Sequence, residues 1–451
     1  MSGIAGITNP QKRPLVDLMI QKIEHRGWAW SETIENQESI IGMNGLKIQE
    51  KALTNLKING LAKDGCVPGR YAQAQSTSKG FILKRDPIGA APLYYGKTDK
   101  GELCFASEVK ALLLATRDIN ELPAGSTFDG HKLERYFKLN NLELTTETPE
   151  NIAQTLRQKL EESIDRSIGD GNIGSWLSGG LDSSIMAGLA RKRVKNLHTF
   201  AIGLAGAPDL HYAALMADHI KSDHHEVIVT FDEILSVLPE VIYHLETFDA
   251  LLIRSSVLNF LIARYASHFV PAVFSGEGGD ELFAGYKYLK NLAPEQIQEE
   301  LIDIIGRLHN TALQRVDRCA SAHGTLPHVG FLDPGVVEYA LKIPTKYKLR
   351  NGVEKWILRQ AVADIMPEQI FNRTKSKFWE GGGFKDLIQN YAETQISDSD
   401  FNNEREIKGG MRINTKEELI YYRIFKRHFG KAKNFSWMGR TKGAPIETSK
   451  N

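Results

Sequence analysis

Up to about residue 125, apolar residues come in short runs at 4–8, 39–43, 80–84, 93–96 and 103–107, broken by Gly, Pro and Asn. That punctuation predicts a β-rich domain with few helices. From Asn151 the rhythm changes. Ile152, Leu156, Leu160, Ile164 and Ile168 recur every fourth position and put one apolar stripe on a helix. The change of period sets a first domain at 1–128, a linker at 129–150 and a second domain at 151–430. Within the second, β-branched runs at 173–177, 198–204, 226–230 and 272–274 alternate with helical stretches, as βα units around a parallel sheet do. Beyond about residue 290 the pattern is mostly helical, broken at Pro344 and Pro367. The polar segment 431–451 is expected to fray. No repeat of 20–50 residues is visible.

The 451 residues suit two to three domains. Lys plus Arg number 56 against 55 Asp plus Glu, and a net charge of +1 gives no basic field to hold nucleic acid or an anionic membrane. Cys66, Cys104 and Cys319 are odd in number and far apart, so neither a disulfide framework nor a C-x-x-C pair can be built. With no long apolar run and no signal-peptide pattern at the start, a cytoplasmic protein is expected.

Chemistry concentrates in two glycine-rich turns. Ser178-Gly179-Gly180-Leu181-Asp182-Ser183-Ser184 follows a predicted strand and opens a helix. Its glycines admit close backbone approach, and N–H groups at a helix start with flanking hydroxyls form a cradle for phosphate oxygens. The spacing is not that of a Walker A loop. The second turn, Ser275-Gly276-Glu277-Gly278-Gly279-Asp280-Glu281, follows the strand at 272–274. Ligands of open α/β sheets sit at the carboxyl ends of strands, so the two turns are expected to face one another, with Asp182 and Asp280 sharing magnesium on ATP phosphates. His224-His225-Glu226 lacks H-E-x-x-H spacing and leads into a strand, so no metal site is expected from it.

These two turns resemble the ATP-pyrophosphatase loop and its S-G-E-G-[SG]-D-E partner in asparagine synthetases. The resemblance extends through 197–210, 241–249, Gly330-Phe331-Leu332-Asp333 and Arg373-Thr374-Lys375 to about residue 425. It implies an α/β fold: a β-rich, N-terminal-nucleophile-hydrolase-like domain, then an α/β parallel-sheet ATP-pyrophosphatase domain with a helical C-terminal part. The implied reaction is attack of a carboxylate, aspartate or a related acid, on the α-phosphate of Mg-ATP. Pyrophosphate leaves, and ammonia or another amine then displaces AMP. By motif, Ser178, Gly179, Gly180, Asp182 and Ser183 hold pyrophosphate and magnesium, Ile202, Ser275 and Gly276 hold the adenylate, and Lys375 neutralises phosphate charge. Glu277 favours this branch over β-lactam-type cyclases, which resemble it but carry Tyr at that position. Arg254 matches an arginine that grips the substrate carboxylate. Departures lie at Leu251-Leu252, where the family commonly has Thr-Thr, and at 325–330.

The opening Met1-Ser2-Gly3-Ile4-Ala5-Gly6 resembles class II glutamine amidotransferases, with Ser2 at the position of the nucleophilic cysteine. Trp28-Ala29-Trp30, Gly45 and Leu61 replace further family anchors, and a segment is missing before Val67-Pro68-Gly69. Residues 85–89, 92–95 and 105–110 retain the pattern. A scaffold without glutaminase activity is expected. Partners are then small carboxylate and amine substrates, with a homo-oligomer or a separate ammonia source as further options, and no nucleic acid or membrane. The alternatives are an amide or peptide cyclase and a non-catalytic nucleotide-binding or partner-binding scaffold. Clustered Asp182, Glu277, Asp280 and Lys375 speak against the last, since such charges cost desolvation.

Overall fold

The computed structural model describes residues 2–46, 61–67, 69–140, 142–169, 171–374, 378–384 and 386–442. The first part of the chain stacks two antiparallel sheets. One runs β2-β3-β1-β8-β7-β9, built from β1 (Ser2–Ile7), β2 (Trp30–Glu35), β3 (Ile40–Gly45), β7 (Tyr94–Lys97), β8 (Leu103–Ala106) and β9 (Asn120–Glu121). The other runs β11-β10-β6-β5-β4, from β4 (Leu61–Val67), β5 (Arg70–Thr77), β6 (Gly80–Arg85), β10 (Ser126–Phe128) and β11 (Leu133–Arg135). β1 is buried on both faces. Ala5 and Ile7 join the core with Val16, Met19 and Ile20 of the helix Arg13–Lys22, while Ile4 joins Phe81 and Leu83 of the second sheet. β5 buries only Arg70, Ala72 and Ala74 on its inner face, so its alternation is faint in the sequence. β11 pairs with β10 inside the stretch read as a linker.

The later part is a parallel sheet, β14-β13-β12-β15-β16, flanked by helices. Its strands are β12 (Gly174–Trp176), β13 (His198–Gly203), β14 (Asp223–Ile228), β15 (Ala272–Phe274) and β16 (Leu326–His328). This is the expected α/β class. In the helix Pro149–Ser167, Ile152, Leu156, Leu160 and Ile164 are buried, and the Thr148 side chain accepts from the Asn151 N–H at its start. Pro327 lies on an edge strand, where its missing N–H is tolerated. The segment 431–442 does not fray. Ala432, Phe435, Trp437 and Met438 are buried, with Phe435 and Trp437 packed on Phe425, because its aromatic residues find an apolar seat. Residues 443–451 lie outside the described residues. No helix among the described residues is long and apolar enough to cross a membrane.

Candidate active site

β12 ends in the loop that opens the helix Leu181–Arg191. Gly180 occupies the N-cap with no side-chain cap, so the first N–H groups are left for a ligand. Gly179 has φ +65°, and a Cβ there would come within 2.4 Å of Tyr212. Ser178 and Ser183 face each other, their hydroxyls 3.1 Å apart, and the Ser183 hydroxyl accepts from the Ser178 N–H at 3.2 Å. Arg373 steadies this loop by donating to the Ser178 carbonyl at 3.0 Å while pairing with Asp209 and lying over the Tyr212 ring.

The turn after β15 packs directly on the first. A Cβ at Gly279 would meet the Asp182 carboxylate at 2.5 Å, so only glycine allows that approach. Asp182 and Asp280 therefore converge, and the Lys355 ammonium bridges them at 2.6 Å to each. Lys355 is buried and holds φ +56°, an uncommon conformation for a side-chain-bearing residue, at the start of the helix Trp356–Val362. Nothing in its local sequence distinguishes it from a solvated lysine. The two acids form an all-oxygen donor set with a cation already between them, which suits magnesium carrying phosphate ligands. Glu277 pairs with Arg315, which the motif reading also missed. Glu281, beside them, has its carboxyl pushed up to about 7 by burial and by the neighbouring Asp280 and Glu277, and accepts from the Tyr286 hydroxyl.

Both turns open on a cavity of about 640 Å³. Ser178, Gly180, Asp182, Ser183, Ile202, Ser275, Gly276, Glu277 and Asp280 line it. Leu251 and Leu252 add an apolar wall, and Thr441 and Lys442 contribute from the segment expected to fray. Thr441 is tied down by Asp249, which accepts from its hydroxyl at 2.9 Å, and Lys442 pairs with Glu300 and Asp303. The divergent stretch at 325–330 becomes β16, whose His328 carbonyl accepts from the Ser275 N–H at 2.8 Å. Among the described residues that the motifs single out, Gly179 and Arg254 are not part of the cavity wall. Lys375 lies outside the described residues, although Arg373 and Thr374 do line the cavity. Arg254 grips a carboxylate, but it is the protein's own: its Nε donates to Glu417 at 2.8 and 3.0 Å. The pair ties the helix Ala250–Ala266 to the helix Lys416–Phe429.

Comparisons with known proteins match both parts of the chain. Residues 155–300 and 290–443 match the asparagine synthase family, and residues 66–161 match the glutamine amidotransferase domain. The chain is 34% identical over 386 residues to asparagine synthetase B (glutamine-hydrolyzing) of Escherichia coli K12, covering 80% of this chain and 69% of that one. The Zea mays glutamine-hydrolyzing asparagine synthetase is 35% identical over 385 residues (80% and 66%), and the human one 33% over 405 (80% and 72%). The chain belongs to the asparagine synthetase family. Members of the asparagine synthetase family are ATP-dependent ligases that form carbon–nitrogen bonds. This chain spans about two thirds of the length of these relatives.

In this asparagine synthetase family member the amino-terminal sheets are bolted to the synthetase part by buried charge. Arg26 donates to Glu108 at 2.9 Å, to Asp64 at 3.0 Å and to both oxygens of Asp317 at 2.9 and 3.2 Å. Arg318 bridges Glu108 and Glu246, and Glu246 also accepts from the Val109 and Lys110 N–H groups. Burial alone would raise the Glu108 carboxyl, yet Lys110, Arg318 and His25 hold it well below the usual range. Ser2 sits beneath this network, fully buried, with its hydroxyl donating to the Lys63 carbonyl at 3.2 Å.

Proposed function

We propose that this protein is an AMP-forming ligase that adenylates a small carboxylic acid, aspartate or a related acid, and joins it to ammonia or another amine. The observation that carries this reading is the meeting of two glycine-rich turns from strand ends, with Asp182 and Asp280 converging on one buried lysine. In this reading Ser178, Gly179, Gly180 and Ser183 hold the departing pyrophosphate with hydroxyls and helix-start N–H groups. Ser275, Gly276 and the Ile202 backbone seat the adenylate. Asp182 and Asp280 hold magnesium, which supplies charge neutralisation on the phosphates. Lys355 and Lys375 stabilise charge that grows on the phosphate oxygens, a contribution that is large in an enclosed site. Glu277, oriented by Arg315, faces the acceptor side. Within the proposed class of acids, the Leu251-Leu252 wall favours a related acid with an apolar body over aspartate itself.

Ser2 is not assigned a catalytic role. A serine hydroxyl is harder to activate than a thiol, and this one is buried and already hydrogen-bonded. The test is ATP–pyrophosphate exchange across a panel of carboxylic acids. One acid is expected to support exchange and, with ammonium, to yield AMP. Release of ADP and phosphate instead would overturn the assignment of the loop.

A further inference from the structure

We infer that His198, His225 and Asp223 form a binding site for a divalent transition-metal ion, Zn²⁺ in the first instance, at the end of the parallel sheet away from the nucleotide cavity. The register of β13 on β14 sets His198 beside Asp223 and Phe200 beside His225. Side chains two apart on a strand share a face, so His198, Asp223 and His225 project together. The alternate residue His224 turns the other way, toward the Thr199 hydroxyl at 2.9 Å. His198 Nδ1 lies 3.0 Å from His225 Nε2 and 3.2 Å from Asp223 Oδ2, and His225 Nε2 lies 3.8 Å from Asp223 Oδ1. Two ligands held at ~2.0–2.1 Å from Zn²⁺ in tetrahedral geometry stand roughly 3.3 Å apart, so these spacings need only small adjustments.

Two features make the cluster a built site. Its ligands sit on paired strands, and the His225 ring packs against Phe200, at 5.0 Å and nearly parallel, and against Phe269, at 4.3 Å, which restrains its direction. The donor set, two imidazoles and one carboxylate, selects zinc and its neighbours over magnesium or calcium, which prefer oxygen alone. The half-exposed position leaves the fourth ligand to water. A bound ion would clamp the edge strand β14 to β13, the strand that ends at the cavity beside Ile202.

The test uses the full, untagged chain, stripped with chelator and titrated with Co²⁺ and Zn²⁺. One equivalent of Co²⁺ is expected to give the strong visible absorption of four-coordinate nitrogen–oxygen ligation, Zn²⁺ to displace it, and Zn²⁺ to raise the thermal midpoint. The band is expected to persist in Asp182→Asn, which separates it from the nucleotide site. It should vanish in His198→Ala and His225→Ala, and the milder Asp223→Asn should weaken Zn²⁺ binding about 10–100-fold. Absence of the band in the parent chain, or a band unchanged in His225→Ala, would overturn the assignment.

Discussion

At the scale of single residues, two buried lysines act in opposite senses. Lys355 has two carboxylates to neutralise it, whereas the Lys348 ammonium is buried without a hydrogen-bond partner among the described residues. Burial pulls the Lys348 pKa down to about 7, against ~10.4 in an unfolded chain. Between those values the unfolded chain carries the proton and the folded one does not, so this group makes stability rise as pH rises from about 7 toward 10. Lys348→Met is expected to stabilise the fold at pH 7 by roughly 1–3 kcal/mol and to flatten that slope. Thermal midpoints of both proteins across that range would check it, and an unchanged slope would refute it. Lys355→Met is expected to lower pyrophosphate exchange by about 10²–10³; near-normal exchange would remove it from the site. The motif residues were legible because two glycines, hydroxyls and acids at fixed spacing have few other uses. Lys355 and Arg315 were not legible, since each reaches its acid across a distance that no local spacing records.

At the scale of elements, long periodic pieces were readable and short ones were not. The helix Pro149–Ser167 announced itself through Ile152 to Ile164, but β5 hides its inner face behind two alanines, and β16 is three residues long and contains proline. Arg254 was expected to grip the substrate carboxylate, and it pairs instead with Glu417 on a distant helix, a partner that no local spacing records. The helix Ala312–Ser321 carries Asp317, whose carboxyl burial would raise but Arg26 and Arg70 hold down at about 2. A folded pKa below the unfolded ~3.9 means its stabilisation is present above pH 4 and lost as pH falls toward 2. Asp317→Asn leaves Arg26 and Arg70 undercompensated in the interior and is expected to cost about 3–5 kcal/mol at neutral pH. The variant should also lose part of the acid limb of the stability profile. Urea melts at pH 7 and pH 3 measure both, and a neutral substitution would show that the network is dispensable.

For the whole molecule, the buried charge between the two parts makes the amino-terminal sheets a structural partner of the synthetase core. With labelled glutamine or ammonium as alternative nitrogen sources, turnover is expected from ammonium alone and is expected to be unchanged in Ser2→Ala. Glutamate release that disappears in that variant would reverse the reading. The segment 431–442 links both parts as well: the Lys433 N–H donates to the Arg117 carbonyl of the first, Trp437 meets Tyr94, and Thr441 and Lys442 reach the cavity. Lys431 and Lys433 are exposed along this strap while Ala432 between them is buried. Trypsin can cut there only when the strap lifts, so the rate of clipping is a clock for that opening. A nucleotide or acid that settles against Thr441 and Lys442 would slow the clock, and occupancy of the cavity could then be followed on a gel without knowing the reaction's product.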